Sequence, residues 1–256
     1  MEYKKEYSGF MYDLQDHVMT ITMNRPKELN IFRSSIMRDI TRIFTAMDTD
    51  ASVRCVILTG EGKGFCAGAD LAEEEDYDLV EIEEFAAVGY RMTRKIETFR
   101  APVIAAINGY ALGGGLEYAL AADYRIAADK ASMGFPEVTL GTFAGWGGVE
   151  RLMRLMRPSL AKLLLFTGSR VRGEEALRLG LVDEVTTPEE LMNRARELAL
   201  QIAANPPLAV AVNKRFTREL AGYVVAEGMR VYESEDLKEA FAAFFEKRPH
   251  KDFVGR

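Results

Sequence analysis

Hydrophobic and polar positions follow two rhythms along this chain. Val18-Met19-Thr20-Ile21-Thr22-Met23 is rich in β-branched residues and predicts a strand, stopped by Asn24-Arg25-Pro26. Ile36, Ile40, Ile43 and Met47 then recur at helical spacing behind the capping candidates Ser34 and Ser35. Cys55-Val56-Ile57-Leu58 is wholly apolar, the pattern of a strand buried on both faces. It feeds a loop over 59–70 that holds four glycines. Ile82, Phe85, Met92, Ile96 and Phe99 mark a second amphipathic helix. Val103-Ile104-Ala105-Ala106-Ile107 is a second buried strand, and it too runs into glycines. Strand, glycine loop and helix thus occur twice in one order, which points to the α/β class with polar chemistry at strand ends.

Past residue 188 the rhythm turns helical. Glu189–Ala203, Leu208–Leu220 and Val224–Phe245 predict three helices, separated by Asn205-Pro206-Pro207 and Gly222. The last carries Leu237, Phe241, Phe244 and Phe245 on one face, a stripe that packs either into its own core or against another subunit. The acidic run Glu73-Glu74-Glu75-Asp76 predicts a solvated, mobile stretch.

Composition narrows the picture. The 256 residues, 48% hydrophobic and 28% charged, suit one sizeable core with or without a helical appendage. A net charge of −6 argues against broad nucleic-acid binding, yet leaves room for a local basic pocket that takes one small anion. Cys55 and Cys66 give no disulfide framework and fit a reducing cytoplasm. The segment Met1 to Glu6 mixes charges without an apolar core, unlike a signal peptide. The most apolar stretch, 101–122, is broken by Asn108, three glycines and Glu117, too polar for a membrane span. His17 and His250 form no ligand-spaced pair, so no metal is expected.

The two glycine loops carry the candidate chemistry. The first reads Gly64-Phe65-Cys66-Ala67-Gly68-Ala69-Asp70-Leu71 and follows a buried strand. The second runs from Asn108 to Gly113-Gly114-Gly115 and opens a helix expected over 116–122. Glycines at a helix start leave N–H groups free and unobstructed, and the helix dipole favours negative charge there. A single cluster could serve a turn, but glycine costs about 1 kcal/mol in a helix interior, so a plain structural use explains three poorly. Neither loop has a Gly-Lys-Ser/Thr ending or a Gly-x-Gly-x-x-Gly pattern. The more natural use is an oxyanion hole with one donor from each loop. Glu117 and Glu137 lie in apolar surroundings, where ionisation is costly and burial raises a carboxyl pKa. They are either acid–base groups or, respectively, a helix-dipole partner and a salt-bridge member.

Together these residues resemble the crotonase superfamily of enoyl-CoA hydratases and isomerases. The resemblance runs from Asn24-Arg25-Pro26 to Phe253-Val254-Gly255-Arg256, and is most specific over Phe65–Leu71, Asn108–Asp123 and Phe135–Gly148. It implies an α/β spiral of ββα repeats carrying the site over residues 1–190, then a helical region for trimerisation over 191–256. It implies that the N–H groups of Ala69 and Gly114 grip the thioester oxygen of an acyl-CoA as it becomes an enolate. Hydratases of this kind carry two glutamates, and both places are glutamate here. By analogy, Glu117 holds and deprotonates the attacking water while Glu137 delivers a proton to the α carbon. Ala67, Asp70, Leu71, Gly113 and Trp146 would border the substrate. Arg25, Lys27 and Lys63, with Lys247 or Lys251 from the C-terminal end, are the basic residues available to the coenzyme A phosphates. Coenzyme A arrives as part of the substrate, so no separate cofactor is implied. The expected assembly is a homotrimer or dimer of trimers, without nucleic-acid or membrane partners.

The segment Thr142 to Glu150 departs from the family pattern. Ala144 replaces a usual proline, Trp146 stands where small residues are common, and Val149-Glu150 replace a frequent Thr-Gln. An indole wall favours planar partners, so a cyclic, branched or aryl acyl group is the expectation, unless Trp146 only packs. The same enolate chemistry would serve a double-bond isomerase needing Glu137 alone, or an acyl-CoA hydrolase or lyase. Outside catalysis, the alternative is an RNA-binding or assembly module with Arg151, Arg154 and Arg157 as a small basic patch.

Overall fold

The computed structural model describes residues 9–218 and 231–256. The Met1–Glu6 segment, Gly222, and the expected helix ends at Leu220 and Val224 lie outside them. The chain opens with a hairpin of β1 (Phe10–Gln15) and β2 (Val18–Met23). Its two-residue turn holds Asp16 and His17 at φ 49° and 66°, the left-handed geometry a tight hairpin requires. Helix α1 (Ser34–Met47) follows.

From there one unit recurs: a long strand, a short strand, a helix. Its first copy is β3 (Cys55–Gly60), β4 (Gly64–Cys66), the single turn α2 (Leu71–Glu74) and α3 (Leu79–Glu97). The second is β5 (Val103–Ile107), β6 (Tyr110–Leu112) and α4 (Gly114–Leu120). The third is β7 (Tyr124–Ala128), β8 (Ser132–Gly134), a 3-10 turn (Pro136–Leu140), α5 (Gly148–Leu155) and α6 (Pro158–Thr167). Then come β9 (Arg170–Arg172), α7 (Gly173–Leu179), β10 (Glu184–Thr186), α8 (Leu191–Ala203), α9 (Pro207–Arg218) and α10 (Glu235–Glu246).

The long strands form one sheet in the order β1-β2-β3-β5-β7-β10, parallel after the hairpin, and the short strands a second in the order β4-β6-β8-β9. This is the ββα spiral. Every residue of β3 and β5 is buried, as parallel strands covered on both faces must be. One cover is α8, whose Leu191, Ala195, Ala199 and Ala203 are buried and which packs along β2, β3, β5 and β7. The region from residue 191 therefore begins on the core before it becomes peripheral.

Three local expectations are corrected. Neither Ser34 nor Ser35 caps α1: its cap position is Arg33, and the Ser34 N–H is taken by the Glu73 carboxylate at 2.9 Å. The acidic run is solvated only in its second half: Glu75 and Asp76 are exposed, but Glu73 and Glu74 are half-buried at the end of α2. The helix expected over 224–245 is interrupted by Ser234, whose extended backbone and hydroxyl, accepting from the Leu237 N–H, start α10 afresh. On α10 the aromatic stripe misses its own core: Phe241, Phe244 and Phe245 are 53%, 76% and 75% exposed.

Among the described residues no helix is long and apolar enough to cross a membrane, and no group of three His, Cys, Asp or Glu could hold a metal ion.

Candidate active site

Parallel pairing of β4 with β6 sets Gly64 opposite Tyr110 and Cys66 opposite Ala111, so the loops leaving the two strands run side by side. Asn108 ties together the segments that enter the two strands, its Oδ1 accepting from Gly60 N–H at 3.1 Å and its Nδ2 donating to the Gly62 carbonyl at 3.0 Å. Gly68 turns the first loop at φ 107°, where a Cβ would lie 2.8 Å from the Leu112 carbonyl oxygen and 3.8 Å from the Gly114 nitrogen. Glycine there brings the Ala69 peptide up against Gly114. Hydrogen bonds from Phe32 N–H to Gly68 O and from Asp70 N–H to Phe32 O hold Ala69 from both sides, each at 2.8 Å. In the second loop, Leu116 and Glu117 N–H turn back to the Gly113 carbonyl. Gly114, the first residue of α4, keeps its N–H ahead of the helix ladder. Ala69 and Gly114 both border one cavity of about 160 Å³, together with Glu117, Glu137 and Trp146.

Glu117 is 1% exposed, and its Oε1 accepts from the N–H groups of Trp146 and Gly148, each at 2.7 Å. Burial pushes its carboxyl up to about 7; the two backbone donors and Arg151 oppose that shift, and the neighbouring Glu137 adds to it. Glu137 approaches from the 3-10 turn, with Oε1 3.0 Å from where a Cβ on Gly113 would stand. Its Oε2 is buried without a hydrogen-bond partner, and burial raises its pKa. Among the described residues neither carboxylate forms an ion pair. A salt-bridge role for Glu137 is therefore not what the fold provides. Two carboxyls border one cavity, each drawn toward its neutral form by burial.

The match to known proteins fits this geometry. The sequence profile described as enoyl-CoA hydratase/isomerase matches residues 13–253. The chain belongs to that family. It is similar to the short-chain-enoyl-CoA hydratase of Clostridium acetobutylicum, 39% identical over 98% of this chain and 100% of that protein. It is also similar to the crotonyl-CoA hydratase of Syntrophomonas wolfei, 38% identical over 94% and 96% of the two chains. The crystal structure of an enoyl-CoA hydratase from Bacillus anthracis superposes with a TM-score of 0.90 at 36% identity, covering 97% of this chain and 100% of that one.

Within this member of the enoyl-CoA hydratase/isomerase family, Ala67, Leu71 and Gly113 border the cavity. Asp70 does not: its carboxylate caps α2 through Ala72 N–H and binds Arg33 Nε at 2.7 Å. Arg25 is paired with Glu28, while Lys27, Lys63, Lys247 and Lys251 are exposed, all off the cavity lining. Arg151 is buried rather than part of a basic surface, held by Glu97 at 2.9 Å and the Trp146 carbonyl at 3.0 Å.

Sequence reading missed much of the lining. Ile82 and Phe85 were legible only as part of an apolar helix face, Ala86 was not singled out, and Glu74 was read as solvated. Leu140 carried no signal beyond being apolar in a loop, whereas Phe143 lies in the Thr142–Gly148 segment that the family resemblance singles out. The amides of Trp146 and Gly148 were invisible as ligands of Glu117, because backbone donors leave no trace in residue type.

Proposed function

We propose that this protein is an enoyl-CoA hydratase that adds water across the α,β double bond of an acyl-CoA thioester. The observation that supports it most is that Glu117 and Glu137 border one cavity together with Ala69 and Gly114. In this reading the thioester oxygen lies between those two N–H groups, which stabilise the enolate as charge develops, an effect worth about 2.7–4 kcal/mol per donor. Glu117 commits Oε1 to two backbone donors, so its other oxygen takes a proton from water while the hydroxide bonds to the β carbon. Glu137, whose carboxyl burial pushes above the ordinary carboxylate range, delivers a proton to the α carbon. Water is consumed whole, and the proton gained by one glutamate and lost by the other is redistributed through solvent between turnovers. Two carboxyls this close titrate as a pair.

Coenzyme A enters as part of the substrate, and no separate cofactor is proposed. The exposed stripe Phe241, Phe244 and Phe245 supports a homo-oligomer, a trimer or dimer of trimers, since an apolar patch of this kind marks an interaction surface. Light scattering on the purified protein tests this, and a monomer at micromolar concentration would refute it. The two buried, free thiols suit a reducing cytoplasmic compartment.

Mass spectrometry of enoyl-CoAs incubated in heavy-oxygen water tests the reaction. Label is expected in a β-hydroxyacyl-CoA. Label in a released acid would instead indicate hydrolysis, and an unlabelled product with a moved double bond would indicate isomerisation.

A further inference from the structure

We propose that Arg151 is a positioning residue for hydration: anchored on Glu97, it braces the Trp146-Gly147-Gly148 turn whose N–H groups hold one oxygen of Glu117, and so keeps that carboxyl aimed and available as the base. The proposal rests on the hydratase reading and deepens it by naming what supports the base.

Both hydrogen bonds to Glu117 come from one short turn. Gly147, between the two donors, sits at φ 87°, and the N–H groups of Trp146 and Gly148 converge on Oε1. The Trp146 carbonyl is taken by Thr93 Oγ1 at 2.6 Å and Arg151 Nη1 at 3.0 Å. Arg151 lies directly against the turn: a Cβ on Gly147 would come within 2.5 Å of Nη1, and the Arg151 N–H donates to the Gly147 carbonyl. The Trp146 ring is locked as well. A Cβ on Gly89, on α3, would lie 2.4 Å from the indole, and one on Gly114, on α4, 2.1 Å from it. Only 5% of Trp146 is exposed, so its face is covered rather than offered as a platform for a flat acyl group.

Arg151 is itself 5% exposed, and a buried guanidinium is costly without a partner. Glu97 on α3 accepts from its Nη2 at 2.9 Å, and also pairs with Arg94 at 3.0 Å and Arg154 at 3.5 Å. Asp123, Arg125 and Lys214 line the same cleft as Arg151 and Glu97. On the active-site side the charged neighbours of Glu117 are Glu137 and, bordering the same cavity, Glu74. Burial and Glu137 push the Glu117 carboxyl up, and Arg151 opposes them. Stability alone accounts poorly for such a residue, since a buried ion pair is often replaceable by apolar side chains without loss. A brace and a positive charge that both act on one carboxyl account for it better.

The test is the pH dependence of 2-butenoyl-CoA hydration by the wild type, Arg151→Met, Arg151→Lys and Glu97→Gln. Arg151→Met is expected to lower kcat by roughly 10–100-fold, with KM within about threefold of wild type. It should also move the acid limb of kcat/KM up by about half a pH unit, because the base loses a nearby positive charge. Glu97→Gln removes the negative charge that offsets Arg151, so its limb should move the opposite way, to lower pH. Arg151→Lys restores the charge and should return the limb toward wild type. Unmoved limbs in both Arg151→Met and Glu97→Gln overturn the proposal, whatever their melting temperatures. Should the methionine variant not fold, an unmoved limb in Glu97→Gln does so alone. Wild-type hydration with unmoved limbs in the variants refutes only this inference. A folded wild type that hydrates no 2-enoyl-CoA refutes the hydratase reading, and this proposal with it.

Discussion

The two walls of the cavity are built in opposite ways. On one side, β6 and α4 bury every residue from Ala111 to Leu120, and Glu117 has two backbone donors on one oxygen. On the other, the segment after Glu137 leaves Val138, Leu140 and Phe143 exposed, at 45%, 61% and 77%. The difference follows from what each wall handles. Charge is stabilised by dipoles that are already aimed and dry, which needs a rigid, fully packed element. An apolar chain needs only surface to displace water, and a loop supplies it. The first wall should tolerate almost no change and the second a good deal.

The largest expected effect tests the rigid wall and its partner across the cavity. Glu117→Gln and Glu137→Gln should each lower kcat for hydration by roughly 10²–10⁴-fold, with KM changed far less. Isomerisation surviving in Glu117→Gln would show that a single base suffices and that the pair is not a hydratase pair. Next, Gly114→Pro removes one N–H and should cut kcat by about 10²–10³-fold. Gly114→Ala keeps the N–H but drives a methyl toward the indole, so it should cost about 1–3 kcal/mol of stability by overpacking, read from denaturant melts.

A pH series sharpens the contrast further. Glu117 binds its proton more tightly in the folded state, with its carboxyl raised from 4.5 to about 7. The stability this lends is fully present below pH 4.5 and is lost as pH rises through about 7, on the order of 3 kcal/mol. Melting curves of Glu117→Gln should lack this component, and parallel pH profiles for the two proteins would refute it. The smallest effect belongs to the loose wall. Phe143→Ala should change stability by no more than about 0.5 kcal/mol. A large loss there would mean that the loop is as organised as the helix.

Legibility in the sequence followed the same divide. β2 and β3 could be placed because their residues are β-branched or wholly apolar, whereas β1, equally long but reading Phe10-Met11-Tyr12-Asp13-Leu14-Gln15, was not. The three-residue strands β4, β6, β8 and β9 were hidden inside what read as loops or not at all, since three residues hold barely one period of alternation. Yet those strands bring the loops together. Glu117 and Glu137 stood out as carboxylates in apolar stretches. Glu74 and Arg151 were misjudged because charged residues read as solvated until packing shows otherwise.

Local sequence by itself determined the α/β class and singled out Glu117 and Glu137 as carboxylates in apolar surroundings, because hydrophobic period, glycine clusters and residue type are properties of neighbours along the chain. Only the tertiary structure decided that Ala69 and Gly114 border one space, that Trp146 is wedged between two glycines, and that Asp70 is held by Arg33 off the cavity lining. Each of these depends on residues tens of positions apart, whose approach is set by strand pairing and side-chain volume, and none is written in any local pattern.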